Sequence, residues 1–478
     1  MHGSSSHSRS YPSWLFVLGV SVGAAVTAAC EPADMVPEEE PLPGTALVFQ
    51  DVTIVETGQE AVTPWQTVVV REGRIDRVGP VDEVEVPEDA LLIDGEGRYL
   101  MPGMAEMHGH LPGADPTSPE VQDLLFLYVS QGVTTVRGMQ GHPAQLEIRR
   151  AIEDGDLLGP RLILGSPAMG WGNLPDAQEA PERVREFSEV GFDLIKIGEG
   201  ADPATYDALV QTAREEGLPV AGHVPDDVGL MEALAAGQVT IDHLDNYVEE
   251  LVPEEERQAI APLWGVASVG HLADEGRIPE LVDATVESGA AQVPTMVLWE
   301  IFFGDRTGEE LREAHPEVRY MPPDVVDGWE SSLANLHETI GHPEGVARVV
   351  ELRRTIFRHL HEAGATFLLG TDSPQLFSVP GFSNHREMQL WVELGMTPFE
   401  VVRAGTWNVA DHLGELDESG SVEEGRRADL ILLEANPLDD IGNVARRAGV
   451  VMQGRWIPEE EIQERLASMA ERHREAGR

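Results

Sequence analysis

Lysine is almost missing from this sequence, and so is cysteine. Lys196 is the single lysine among 33 basic residues, and Cys30 is the single cysteine. One cysteine excludes an internal disulfide and any metal site built from several thiolates. Basic charge as a whole is scarce, since 84 Asp and Glu against 33 Lys and Arg leave a formal charge of −51. That balance argues against nucleic acid, whose phosphates need a basic footprint. It argues equally against anionic lipid held by basic patches, and reads as a heavily solvated acidic surface suited to high salt. Long apolar runs are also lacking. Trp14–Ala29 (WLFVLGVSVGAAVTAA) has signal-peptide length and lies too near the start for a membrane span. What stays when lysine is otherwise removed is informative. A lysine amine can lose its proton and act as a nucleophile, which arginine cannot do.

Thr27-Ala28-Ala29-Cys30 resembles the lipobox of bacterial lipoproteins, in which the cysteine is acylated and becomes the mature N-terminus. Thr27 departs from the usual Leu, and only Arg9, His2 and His7 supply positive charge ahead of it. The expectation is a lipoprotein-type signal over 1–29 with lipidation at Cys30, followed by an acidic, Pro-rich tether over 30–44. An uncleaved anchor or a soluble export signal is the alternative. Either way the protein is expected to be exported, to the periplasm or the outer membrane and cell surface, touching membrane only through its lipid.

After the tether, Leu47–Val55, Thr67–Val70 and Arg74–Val78 read as short strands, with a hairpin at Arg71-Glu72-Gly73-Arg74. Gly420–Leu433 and Val450–Trp456 share this character far downstream. A few isolated strands cannot bury a face, so both chain ends (45–100 and 412–457) are expected to form one small β-sandwich. Between them, 101–411 alternates strand-like and helix-like runs. The expected strands are Gly103–His110, Gly132–Arg137, Arg161–Ser166, Phe192–Ile197, Leu218–His223, Val239–His243, Ala290–Met296 and Thr366–Thr371. Eight strands separated by helices predict an α/β fold, a (β/α)8 barrel, with its site at the C-terminal ends of the strands. Pro398–Leu413 reads as a barrel helix, Phe302–Val349 as an excursion over the mouth that shapes specificity, and 458–478 as a closing helix or tail.

The strand ends carry metal-binding types. His108 and His110 end the first strand, on which alternate side chains share a face. The fourth carries Lys196, the fifth ends at His223, the sixth at His243 and the eighth at Asp372. Each alone has a structural explanation, a helix cap or a bonded core histidine. A lysine inside an apolar strand is harder to place, because an unpaired buried ammonium costs several kcal/mol.

This order of ligands resembles the amidohydrolase superfamily. Met101-Pro102-Gly103-Met104, Gly132–Arg137 (GVTTVR), Gly370–Pro374 (GTDSP) and Gly425–Leu430 (GRRADL) are similar to its imidazolonepropionase-like and prolidase-like branch. Glu106 stands where an Asp is common. The lysine favours the two-metal, prolidase-like members, in which it is carboxylated by carbon dioxide. The resemblance then implies one ion on His108, His110 and Asp372, another on His223 and His243, and the Lys196 carbamate between them, about 3.5–4 Å being a usual two-metal spacing. A shared hydroxide would attack the carbonyl, with Asp372 as general base and then acid. Imidazole and carboxylate ligands without thiolate suit Zn²⁺ first, then Mn²⁺ or Co²⁺.

The implied substrates are dipeptides or N-acyl amino acids. Candidate substrate residues are His385, in a family His-x-Glu phrase, Tyr247, Arg137 and His142. A homodimer rests on analogy alone. One alternative is a one-metal hydrolase of a cyclic amide, imidazolone ring, lactone or ester. An alternative of another class is a surface lipoprotein that binds metal or solute without catalysis.

Overall fold

The computed structural model describes residues 45–257, 265–340 and 343–477. The proposed signal, the tether and Cys30 lie outside these residues. Strands β1 (Leu47–Glu56), β2 (Ala61–Arg71) and β3 (Arg74–Pro80) form an antiparallel meander. The β2–β3 turn places Glu72 and Gly73 at φ 49° and 72°, a two-residue hairpin that suits the right-handed strand twist. β4 (Leu91–Asp94) and β5 (Tyr99–Pro102) pair with β1 in parallel.

A parallel series follows, namely β6 (Met104–Gly109), β7 (Val133–Gly138), β8 (Arg161–Leu164), β9 (Ile195–Ile197), β10 (Val220–Gly222), β11 (Thr240–Asp242) and β12 (Ala291–Val293). The last strands are β13 (Leu430–Leu433), β14 (Arg447–Met452) and β15 (Arg455–Pro458). They return to the first sheet, in the order β15-β14-β13-β5-β1-β2-β3 with β4 on β1. Both chain ends thus build one eight-stranded sheet, and Phe49, Val68, Leu100, Leu430 and Val451 share its apolar core. Met101 and Pro102 belong to this sheet through β5, so the parallel region begins at Met104, not at 101.

Strands β6 and β9–β12 are buried along their whole length, as expected where both faces are covered. Helices such as Pro119–Ser130, Pro203–Glu216 and Ile278–Ser288 connect them. Ser118 and Asp202 cap the first two, each followed by proline in the first turn. Gly217 and Gly289 stop the last two in the left-handed region.

β6–β8 and β9–β12 are two parallel sheets. Ser166 N–H donates to Leu194 O (2.9 Å) and Asp193 N–H to Leu164 O (2.8 Å) across the seam between them. The expected eighth strand, Thr366–Thr371, is not a regular strand. Its backbone groups are divided among several partners. Leu368 donates to Gln292 O of β12, Leu369 to Ala404 O, while Leu369 O accepts from Met107 of β6 and Thr371 N–H goes to the Glu106 carboxylate.

Pro398–Leu413 is likewise two helices, Pro398–Ala404 and Trp407–His412. They part at Gly405, whose carbonyl accepts from Ala105 N–H at 2.9 Å. The excursion holds helices Gly308–Ala314 and Pro323–Ile340. Its Trp329 packs on Phe377 (ring centroids 5.9 Å), five residues past Asp372. Glu459–Ala476 closes the chain by seating Arg465 over the Phe126 ring at 3.9 Å. No helix among the described residues is long and apolar enough to cross a membrane.

Candidate metal centre

His108 lies on β6 and His110 just past it, Lys196 in the middle of β9, His223 and His243 directly after β10 and β11, and Asp372 after the irregular eighth segment. The structure brings all six together. Ring centroids are 4.4 Å apart for His108 and His243, 4.7 Å for His223 and His243, and 5.8 Å for His108 and His110. Lys196 Nζ stands 3.4 Å from His108 Nε2, Asp372 Oδ1 lies 3.5 Å from the same nitrogen, and Asp372 also bonds His110 Nε2. His243, Thr295 and Asp372 have φ of 61°, 45° and 62°. This is backbone strain of the kind that gathers where strand ends aim functional groups.

Each imidazole has its Nδ1 engaged. Asp242 holds His108 (2.7 Å), Gln140 holds His110 (3.0 Å), Asp245 holds His223 (2.7 Å) and Thr295 holds His243 (2.7 Å). Such partners fix ring orientation and leave Nε2 for a ligand. Nε2 of His243 is buried with no hydrogen-bond partner. Burial, then the Lys196 charge, pushes His108 and His223 well below the ordinary histidine range. Burial, then His108 and His223, does the same to His243. Lys196 is lowered to about 8 by burial. Glu106 is raised to about 8 by burial, and accepts from His108 N–H (2.9 Å), Thr371 N–H (2.8 Å) and Thr371 Oγ1 (2.5 Å). It ties the first strand end to the eighth segment.

The substrate candidates do not converge in the same way. Tyr247 is fully buried, its hydroxyl bonded to Thr285 Oγ1 (2.6 Å) and Gln292 Oε1 (3.2 Å), so it faces the interior. Arg137 is also buried, and its guanidinium goes to Met107 O, Thr240 and Asp242. His142 caps helix Pro143–Glu153, accepting from Ala144 N–H. His385 is half-buried near Arg447 of β14, and desolvation together with that charge lowers it to about 3, while Glu387 of the same phrase accepts from Met296 and Val297 N–H.

Sequence reading missed Glu199, Asp242, Asp245 and Arg353. Ligand atoms of Glu199, His223 and Asp245 lie within 4.8 Å of one another, as do those of His108, His110 and Asp372. Arg353 donates to the His243 carbonyl and lies 4.5 Å over the Trp299 ring. Asp242 and Asp245 flank His243 in the chain, and that Asp-His-x-Asp spacing was the available signal.

Gly222 makes room for Lys196. A Cβ there, at φ 115°, would lie 2.7 Å from Lys196 Cδ and 2.7 Å from Ile197 O. Gly222→Ala is expected to cost about 1–3 kcal/mol by denaturant midpoint and to lower metal content. In metal-free, bicarbonate-free protein the unfolded chain keeps the Lys196 proton up to 10.5, while the folded chain loses it near 8. The unfolded state binds more protons between those values, so this group makes stability rise from pH 8 to pH 10.5. Melting curves of Lys196→Met are expected to lack that rise.

The family described as "Amidohydrolase family" matches residues 99–457. The chain is 23% identical over 467 residues to the ochratoxinase of Aspergillus niger, covering 84% of this chain and 80% of that protein. It is 26% identical over 394 residues to the imidazolonepropionase of Symbiobacterium thermophilum, covering 78% of this chain and 84% of that one. Among solved structures, a Xaa-Pro dipeptidase with methionine bound in its active site superposes with a TM-score of 0.63 at 19% identity, over 87% of this chain and 100% of the other. Bottromycin amidohydrolase gives 0.66 at 24%, over 89% and 90%.

Proposed function

Since the chain belongs to the amidohydrolase family, we propose that it is a two-metal enzyme hydrolysing the amide bond of dipeptides or N-acyl amino acids. It is a metal-dependent hydrolase acting on carbon–nitrogen bonds. The observation that carries the two-ion reading is Lys196, a buried amine on β9, 3.4 Å from His108 Nε2. The donor set fits divalent ions. The buried imidazoles of His108, His223 and His243 are neutral, and the partnerless Nε2 of His243 would be costly without something to bond.

His108, His110 and Asp372 would hold one ion, His223 and His243 the other. The neutral Lys196 amine would add to carbon dioxide and lose a proton, giving a carbamate between them. Zn²⁺ suits these nitrogen and oxygen donors first, with Mn²⁺ or Co²⁺ next. When bound, such ions polarise the scissile carbonyl and lower the pKa of the attacking water toward ~7. Asp372 takes the proton of that water and delivers it to the leaving nitrogen. In the metal-free chain His110 Nε2 bonds the same carboxylate, a contact the ion would replace. The same reading closes β6–β12 and the 366–372 segment into a (β/α)8 barrel, supported by the hydrogen bonds from that segment to β12 and to β6.

Metal content per chain and turnover of a panel of dipeptides, N-acyl amino acids and cyclic amides, with bicarbonate present, test the proposal. Two ions and cleavage of linear amides support it. One ion with cleavage of cyclic amides or lactones would replace it with the one-metal alternative, and bound metal without turnover of any substrate with the binding lipoprotein. Export with Cys30 acylated is part of the proposal. Labelled fatty acid should enter the wild type and not Cys30→Ala.

A further inference from the structure

Arg137 is among the largest fully buried side chains, and the chemistry above does not use it. Its guanidinium addresses two strands other than its own. Nε donates to Met107 O of β6 (2.6 Å), the carbonyl of the residue before His108. Nη1 donates to Thr240 Oγ1 (3.3 Å), and Nη2 to both Asp242 oxygens (3.3 and 3.4 Å) on β11. Asp242 Oδ2 in turn holds His108 Nδ1 at 2.7 Å, and Asp242 immediately precedes His243. β7, which carries Arg137, does not pair with β11, so the contact crosses the interior.

We propose that Arg137 is a positioning residue for the metal centre, a guanidinium brace that fixes the His108 imidazole through Asp242 and ties β6 to the end of β11 from which His243 projects. Only a planar group with donors along several directions reaches a backbone carbonyl, a hydroxyl and a carboxylate on two strands at once; an ammonium offers a single centre. Asp242 orients His108 by hydrogen bond and lies next to His243 on the same strand end, where Thr295 holds the His243 ring. Below the brace, toward the N-terminal ends of the strands, a cavity of about 570 Å³ is lined by Arg137, Pro219, Val239 and Ala290. It is large enough to admit a free guanidinium ion to the place a truncated Arg137 would leave.

The inference rests on the metal reading, and its test separates the two. Zinc dissociation constants and unfolding midpoints of the metal-free proteins would be measured for wild type, Arg137→Ala, Arg137→Lys and Arg161→Gln. The last breaks the Arg161–Glu415 pair at the same cavity without touching Asp242. Arg137→Ala is expected to bind zinc about 10–100-fold more weakly, as loss of an outer-shell partner does. Guanidinium chloride at millimolar concentration should restore part of that affinity, and sodium chloride none of it. Arg161→Gln should lower the midpoint and leave zinc affinity alone. Should Arg137→Ala fail to fold, Arg137→Lys carries the test, with weakened zinc binding and a near-native midpoint expected. Zinc affinity within twofold of wild type in either folded Arg137 variant overturns the brace. So does an equal loss in Arg161→Gln, which would mean general loosening. A wild type that binds no zinc overturns the metal reading instead.

Discussion

Lys196→Ala is expected to abolish measurable amide hydrolysis and to leave one ion or none per chain, while the metal-free variant is expected to be more stable than the metal-free wild type at neutral pH. The three results have one cause. Burial lowers Lys196 to about 8, with Arg137 adding to the effect and Asp242, Asp372 and Asp245 opposing it, so at pH 7 the folded apo-protein keeps a mostly protonated ammonium at a net cost. Alanine removes that cost. In the metallated protein the sign reverses, because the group proposed to join the two ions is gone and bound metal no longer adds its binding energy to folding. The activity loss should therefore exceed the ~10–100-fold that outer-shell partners cost. Elemental analysis, melting curves with and without metal, and turnover with bicarbonate present measure all three. Two retained ions with undiminished turnover would remove the lysine from the site and favour the one-metal alternative.

Asp372→Asn is expected to keep the fold and lower kcat by about 10²–10⁴ with little change in KM. Asparagine has nearly the same volume and keeps an oxygen toward His110, and Gln375, which donates to Asp372 Oδ2 at 2.9 Å, can still pair with it. It cannot hold a transferred proton. The effect should depend on the leaving group. Amides, whose nitrogen must be protonated to leave, should lose more than activated aryl esters, whose phenolates depart unassisted. A kcat loss equal for both classes would assign Asp372 to metal binding alone, and zinc titration of the variant would then show the weakened site.

The candidate metal site could be read from the sequence because strand ends are local signals. A run of apolar residues closing on His or Asp marks a barrel position without knowledge of what lies opposite. His108, His110, Lys196, His223, His243 and Asp372 all carry that mark, and the fold brings them together. Orientation is different, being a property of partners distant in the chain. Asp242 reaches His108 across 134 positions, and Thr295 reaches His243 across 52. Tyr247 and Arg137 stayed ambiguous in the sequence for the same reason. Four residues after His243, Tyr247 is equally compatible with a cleft or a core, and its contacts with Thr285 and Gln292 decide for the core. The eighth strand was misjudged because an apolar run predicts burial, not regular pairing. The hydrogen bonds of 366–372 are divided among β12, β6, Ala404 and Glu106.

The sheet formed by both chain ends also sets an order of events during synthesis. β5 ends in Pro102, two residues before β6, the strand of the first proposed ligand, begins, and its antiparallel partner β13 emerges roughly 330 residues later, about 15–65 s of elongation at ordinary rates. Until then one edge of β5 is open to pairing with any passing chain. A message truncated before Leu430 therefore yields a polypeptide that contains every proposed ligand yet lacks the latch that seats the first of them. Loss of the C-terminus should appear as aggregation in the cell, not as a soluble enzyme with altered kinetics.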